Sequence, residues 1–412
     1  MKKTELKNKT TVIYKQAPST PRTAFTLYLS LQTPEKIPGT YSLLNRLFFQ
    51  GTKNFDAERI AAEIENNAIE LYSEYKTDFI RFKALCLNED VDYTLELMRE
   101  IIFNTSCETF KKEKVKFRGE IIAETDSPKT KAFDRYYSLL YKNHAYGNTY
   151  EVILENLDKI TKNDVLEAYE DILKTSKKTI SVTGDFDEDK MTETLEEKFS
   201  RFEYNPDYKN EITVPKVEEK EVCLISKEDA NQAQIVEGRI FPTYGTKDYA
   251  TIVVTNAILS SAGLSSRLFY ELREKQGLAY TVRSTYETHS KCAAFTAYIG
   301  TEPINIKKAL AGFETEINKI KSEKVTEDEL ENAKECVIGK RCFFTETNAS
   351  MSSLIGLYES ENLGCDYEEK FVKEVKNVTR EDILEMSQRC FSTPSVTVVL
   401  APEKYLSEID EK

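Results

Sequence analysis

Apolar residues recur along the chain with two periods, one typical of strands and one typical of helices. In the first half, alternation predicts strands at 10–15 and 23–31, a hairpin at 70–87 and a buried strand at 179–182. The 3.6-residue period predicts helices at 41–50, 56–66, 90–103, 108–124, 130–141, 162–174 and 187–199. Strands in hairpins among many helices, without strict β–α alternation, are typical of the α+β class.

The second half gives a similar order of elements. Its predicted strands lie at 221–226, 232–241, 279–287, 292–300 and 396–401. Its predicted helices lie at 248–261, 265–275, 304–322, 327–341, 349–361, 367–376 and 380–390. The two halves therefore suggest one architecture used twice.

An internal repeat supports this interpretation. Residues 160–167, ITKNDVLE, align with residues 378–385, VTREDILE, at an offset of 218. Both segments place Thr three residues before Asp, a variant of the capping box that starts a helix. A charged stretch with two prolines then separates the halves. We predict two homologous domains, 1–204 and 220–412, joined by a linker at 205–219.

Composition excludes several classes of function. The net charge of −13 makes nucleic acid and anionic membranes poor partners. No transmembrane helix is expected, and the N-terminus has no apolar core of a secretory signal. The eight cysteines are scattered, with no CxxC pair, which predicts reduced thiols and a cytoplasmic location. Only two histidines are present, which limits any metal site or general base.

Residues 39–52, GTYSLLNRLFFQGT, resemble the zinc-site helix of the M16 metallopeptidases, the family of pitrilysin, insulysin and the mitochondrial processing peptidase. That family has G-x-A-H-F-L-E-H-M-x-F-K-G-T at this point. The framework residues are kept, but the chemical groups differ. The positions of the first histidine, the catalytic glutamate and the second histidine hold Ser42, Asn45 and Arg46.

A second segment carries the resemblance more strongly. Residues 265–282, SSRLFYELREKQGLAYTV, are very similar to the family motif S-S-R-L-F-x-E-[LI]-R-E-K-x-G-L-A-Y-x-V. Glu113 and Glu120 match the family's glutamate pair, of which the second completes the zinc site. The resemblance covers essentially the whole chain and is closest to the short, two-domain branch of the family.

The resemblance implies a fold and an assembly. Each domain would be a mixed or antiparallel sheet backed by helices, in the LuxS/MPP-like metallohydrolase fold. The chain would form one half-shell of a clamshell dimer, and the two half-shells would enclose a chamber for an extended peptide.

The zinc positions predict that this chain holds no metal and cleaves no peptide alone. Catalytic zinc needs three protein ligands, and Arg46 cannot ligate because its guanidinium stays protonated. At ~4 Å and an effective dielectric of ~20, it would repel a doubly charged ion by roughly 8 kcal/mol. Two alternatives remain for Arg46. It forms a carboxylate pair with Glu120 or Glu113, or it points to solvent.

Arg273 and Tyr280 are seven residues apart, and Gly277 between them predicts a helix end. In the family, an Arg and a Tyr with this spacing bind the substrate backbone opposite the zinc and stabilise the oxyanion. The alternative is that Arg273 only caps its helix and Tyr280 is a half-buried strand residue. Arg267 and Glu271 are expected to form a structural i,i+4 pair.

The resulting hypothesis is a non-catalytic subunit of a heterodimeric M16-type peptidase. It would contribute Arg273, Tyr280 and half of the chamber. A homologous subunit with an intact HxxEH motif would hold the zinc, and a peptide or unfolded polypeptide would be the substrate. The alternatives are a structural subunit and a homodimeric peptide-binding protein, neither with a role in hydrolysis.

Overall fold

The computed structural model describes residues 1–407 and 409, which divide into two compact units. The first unit consists of Met1–Glu120, Ile153–Ile212 and Cys342–Glu368. The second consists of Ile121–Val152, Thr213–Arg341 and the chain from Glu369 onward. The predicted domains, 1–204 and 220–412, are defined by the internal sequence repeat. The two units are instead defined by spatial contacts, and each includes segments from both halves of the chain.

The bounds of the elements follow the predicted pattern over most of the chain. The strands are β1 Lys2–Glu5, β2 Thr11–Gln16, β3 Arg22–Ser30, β4 Glu70–Lys76, β5 Phe79–Leu87, β6 Lys177–Gly184, β7 Glu221–Ser226, β8 Ala233–Phe241, β9 Ala279–Thr288, β10 Ala293–Thr301 and β11 Val396–Ala401. The helices of the first half are α1 Thr40–Leu47, α2 Ala57–Asn66, α3 Val91–Asn104, α4 Phe110–Thr125, α5 Pro128–Leu140, α6 Tyr150–Leu157, α7 Lys162–Thr175 and α8 Glu188–Lys198. Those of the second half are α9 Tyr249–Asn256, α10 Ile306–Ser322, α11 Glu327–Phe344, α12 Asn348–Ser360, α13 Tyr367–Asn377, α14 Arg380–Cys390 and α15 Glu403–Leu406.

Each unit is built on one mixed sheet. The first sheet has the strand order β1-β2-β6-β3-β5-β4, and the second has β7-β11-β8-β10-β9. In each sheet one pair is parallel, β2 with β6 and β7 with β11, and the other pairs are antiparallel. Apart from β1 the two orders are equivalent. The prediction of an α+β fold with two homologous domains, each a sheet backed by helices, is confirmed.

The repeat extends to the helix caps. Thr161 and Asp164 form a reciprocal capping box at the start of α7, and Thr379 and Asp382 form the same box at the start of α14. Each box satisfies backbone N–H groups that a helix start leaves without an intrahelical partner. Strands β6 and β11, which follow these helices, are almost wholly buried.

A pair of helices is exchanged between the halves of the sequence. Helix α5 comes from the first half but packs on β8 and β11 in the second unit. Helix α12 comes from the second half but packs on β3 and β6 in the first unit. The contact of α12 is close, because a Cβ added to Gly356 would lie 2.7 Å from Ser181 Oγ. Contacts of this kind are not visible in local sequence patterns.

The structure adds elements that the pattern did not predict, namely β1, α6 and α15. It also changes the geometry of two predicted helices. The helix predicted at 248–261 continues from α9 into a π-helical segment, Ala257–Ser261. The helix predicted at 265–275 is π-helical over Phe269–Lys275. Within the described part of the chain, no helix is both long and apolar enough to cross a membrane.

Candidate functional site

Helix α1 presents the three residues that differ from the family motif. Gly39 adopts a φ of 97° just before the helix, and the Glu35 carboxylate accepts hydrogen bonds from the backbone N–H groups of Gly39 and Tyr41. This acidic cap suits the positive end of the helix dipole. Ser42, Asn45 and Arg46 follow at i, i+3 and i+4, so they share one half-buried face of α1.

Helix α4 supplies the acidic side of the same site. Glu113, Phe117 and Glu120 lie at i, i+4 and i+7 and therefore on one face. The side chain of Glu113 is only 2% exposed, whereas that of Glu120 is 47% exposed. A carboxylate as deeply buried as Glu113 needs a charged or hydrogen-bonding partner.

Arg46 is that partner. Its Nη1 and Nη2 donate to the two oxygens of Glu120 at 2.8 and 2.9 Å, and Nη2 lies 3.5 Å from Oε2 of Glu113. The guanidinium carbon lies 5.1 Å from the centre of the Phe117 ring. Hydrogen bonding to Arg46 holds the pKa of Glu120 below its usual value, against the opposing effect of burial. Of the two alternatives for Arg46, the structure shows the carboxylate pair.

These residues do not fit a zinc ion. The three α1 positions offer a hydroxyl, an amide and a guanidinium, and the guanidinium occupies both oxygens of Glu120. A bound cation would have to displace Arg46, which is itself positively charged and has no lone pair to donate. Over residues 1–407 and 409, no group of three or more His, Cys, Asp or Glu side chains is placed to hold a metal ion.

Arg273 and Tyr280 lie in the second unit. Arg273 is in the π-helical segment Phe269–Lys275, and Tyr280 is the second residue of β9. Gly277 has a φ of 61°, and its N–H donates to the Arg273 carbonyl at 3.0 Å. The predicted helix end at Gly277 is therefore present, in the left-handed conformation that favours glycine.

The two side chains are stacked on each other. The Arg273 guanidinium carbon lies 4.8 Å from the centre of the Tyr280 ring and 4.6 Å from that of Phe269. Its Nη1 donates to the backbone carbonyl of Tyr280 at 2.8 Å. Tyr280 is 80% exposed, so it is not the half-buried strand residue of the alternative interpretation. The Tyr280 ring is therefore open to solvent while it stacks on the Arg273 guanidinium.

The prediction that Arg267 forms an i,i+4 ion pair with Glu271 is wrong. Arg267 instead forms a bidentate pair with Glu329, at 2.7 and 3.1 Å, and Glu271 accepts from Lys275. Burial raises the pKa of Glu329, but hydrogen bonds from Arg267 and Thr326 bring it below its usual value. Glu329 also belongs to the capping box that begins α11.

The site residues thus form two groups, each described within its own unit. Arg46, Glu113 and Glu120 meet in the first unit, and Arg273 and Tyr280 meet in the second. Two aromatic supports were not predicted, Phe117 under Arg46 and Phe269 under Arg273. Their sequence signal was available in retrospect, since each lies four residues from a member of its group.

Two family models match the chain. The one described as Insulinase (Peptidase family M16) matches residues 11–152, and the one described as Peptidase M16 inactive domain matches residues 159–336. A relative from Rickettsia felis, described as an uncharacterized zinc protease, is 26% identical over 88% of each chain.

Solved structures show the same fold. A peptidase M16 inactive domain from Pseudomonas fluorescens has a TM-score of 0.88 at 19% identity, over 100% of this chain and 99% of that chain. A protease from Helicobacter pylori has a TM-score of 0.89 at 20% identity, over 97% of this chain and 99% of that chain.

Proposed function

This chain belongs to the M16 peptidase family, and from that premise we propose that it is the non-catalytic subunit of a heterodimeric zinc peptidase. It contributes half of a peptide-binding chamber, in which Arg273 and Tyr280 act in trans on the substrate. A homologous subunit with an intact HxxEH motif supplies the zinc ion and the general base. The substrate is a peptide or an unfolded polypeptide.

One observation carries the proposal. At the position that resembles a zinc site, Arg46 is neutralised by the chain's own carboxylates, while Tyr280 is exposed to solvent and Arg273 is partly exposed. A chain with this combination lacks the groups that activate water and keeps the groups that bind a carbonyl. Such a chain is useful in hydrolysis only when a second subunit provides the metal.

The chemistry of the pair suits a substrate carbonyl. The guanidinium keeps its charge at every physiological pH, and a tyrosine hydroxyl donates one directed hydrogen bond. Donors aimed at an oxygen that gains negative charge stabilise the transition state more than the ground state. We also propose a cytoplasmic location, because all eight cysteines are free thiols.

The test is reconstitution. Co-expressed with an HxxEH-bearing M16 chain from the same genome, this chain should form a heterodimer with peptidase activity that neither chain has alone. Tyr280→Phe removes one hydroxyl and almost no volume, and it should lower kcat by about 10²–10³-fold, the usual cost of one oxyanion donor. Elemental analysis should find zinc in the heterodimer and none bound stoichiometrically to this chain alone.

A matched control uses another exposed tyrosine. Tyr204 is 58% exposed and lies in the first unit, so Tyr204→Phe should leave kcat unchanged. Size-exclusion chromatography should show intact heterodimer for both variants. If both Tyr280→Phe and Arg273→Ala kept the wild-type kcat, neither side chain would act on the substrate. The chain would then be better described as a structural subunit.

A further inference from the structure

Two cations lie close to one buried aromatic ring in the second unit. Lys129, in the first turn of α5, places its Nζ 4.9 Å from the centre of the Tyr298 ring. Arg283 of β9 lies opposite Tyr298 in the strand register, and its guanidinium carbon is 6.0 Å from the same ring centre. Residues opposite each other in neighbouring strands point to the same face of the sheet. Both cations therefore lie on the face that α5 covers.

The ring itself is buried and hydrogen-bonded. Tyr298 is 5% exposed, its hydroxyl donates to Gln234 at 2.7 Å, and Phe133 packs on it with ring centres 5.2 Å apart. Lys129 and Arg283 are themselves exposed. Both cations therefore extend from regular elements, α5 and β9, beside a buried ring.

Neither cation has a carboxylate partner within residues 1–407 and 409, although acidic residues outnumber basic ones by 70 to 57. Other cations of this unit do have one, as Arg267 has Glu329. Glu287 lies on the same face of β9 and accepts a hydrogen bond from Tyr137 at 2.9 Å, but it forms no ion pair with either cation in the described part of the chain. Burial and, as a lesser cause, the nearby Arg283 charge lower the pKa of Lys129. Like charges held together without a counter-ion favour an anionic ligand.

We propose that Lys129 and Arg283 bind the carboxylate of an acidic residue in a peptide that the chain holds. This inference rests on the proposed function and adds a preference in the substrate. An ammonium and a guanidinium near the same ring can both donate charge-assisted hydrogen bonds to one carboxylate. The same chemistry would accept inorganic phosphate.

The experiment measures binding to this chain alone, without a partner subunit or turnover. Fluorescence anisotropy compares a labelled extended peptide that contains glutamate with the same peptide in which glutamine replaces it. Wild-type protein should bind the glutamate peptide about tenfold more tightly, the usual worth of one charged hydrogen bond. The double variant K129Q/R283Q should lose that difference. The charge-matched control K112Q/K190Q, at two exposed lysines of the first unit, should keep it.

Charge reversal separates recognition from folding. K129E/R283E should instead prefer a peptide with lysine at the same position, a change that a purely structural role would not produce. No measurable binding of the glutamate peptide, or the same glutamate preference in K129Q/R283Q, would overturn the proposal. The proposal would also be overturned if inorganic phosphate bound to Lys129 and Arg283 while the glutamate peptide bound no more tightly than the glutamine peptide. The pair would then be a site for small anions. Loss of kcat in Tyr280→Phe is independent of all these outcomes.

Discussion

Two arginines, one in each unit, differ in the groups that surround their positive charge. Arg46 in the first unit is held by Glu120 and by the buried Glu113. Arg273 in the second unit is held by a backbone carbonyl and two aromatic rings, with Glu274 no closer than 3.9 Å. Carboxylates of the same chain neutralise the charge of Arg46. The charge of Arg273 has no carboxylate within hydrogen-bonding distance in the described part of the chain. We therefore expect Arg46 to contribute to stability, and the proposed function gives Arg273 its role in substrate binding.

The largest expected effect is on stability and follows from Arg46→Ala. The substitution leaves the buried Glu113 and its neighbour Glu120 without their cation, and breaking such a pair typically costs about 3–5 kcal/mol. Urea unfolding monitored by circular dichroism measures the change. The control is Arg59→Ala, which removes an exposed i,i+4 pair with Glu63 and should cost under ~1 kcal/mol. A cost below about 0.5 kcal/mol for Arg46→Ala would mean that the carboxylates need no partner.

A smaller effect is expected from the same substitution in the second unit. Arg273→Ala removes stacking at a partly exposed site and one hydrogen bond to a carbonyl, so it should cost about 1 kcal/mol or less. The measurement is again urea unfolding of the isolated chain. A cost near that of Arg46→Ala would make Arg273 a structural residue and remove the contrast between the two arginines.

The smallest effect concerns pH. Because Arg46 lowers the pKa of Glu120 in the folded chain, the pair stabilises the fold fully above the unfolded pKa of about 4.3. That contribution is lost as the pH falls through the lower, folded pKa. Glu120→Gln should therefore destabilise the chain by under ~1 kcal/mol at pH 7, since Glu120 is half exposed, and by progressively less as the pH falls below the unfolded pKa. If the difference in the free energy of unfolding between wild type and Glu120→Gln increased as the pH falls, the prediction would be contradicted.

The sequence by itself determined the local structure. Capping boxes at Thr161 and Thr379, the glycine that ends the segment before Tyr280, and most strands and helices were predicted close to their observed bounds. These features depend on residues a few positions apart, whose backbone hydrogen bonds and side-chain periodicity are present in any short window. The repeat at an offset of 218 likewise predicted two sheets of one design.

Sequence patterns left the partners of the charged residues open or gave them wrongly. Arg46 had two alternatives, and its carboxylates lie on a helix about 70 residues away. Arg267 was assigned to Glu271 on the assumption of a regular helix, but the segment that follows it is π-helical, and Glu329 of another helix binds it instead. Periodicity reports which face a residue occupies, and it does not report which element packs against that face.

Only the tertiary structure decided that α5 and α12 each cover a sheet belonging largely to the other half of the sequence. The local sequence pattern of each helix does not identify the sheet on which it packs. The choice is made by close contacts that form only in the assembled unit, such as Tyr136 Oη against Thr296 Oγ1 at 3.0 Å. Long-range packing of this kind determines which sheet a helix covers and which partner a charged or aromatic side chain contacts. The reason is that the burial of a residue, and its energy, depend on all the residues around it.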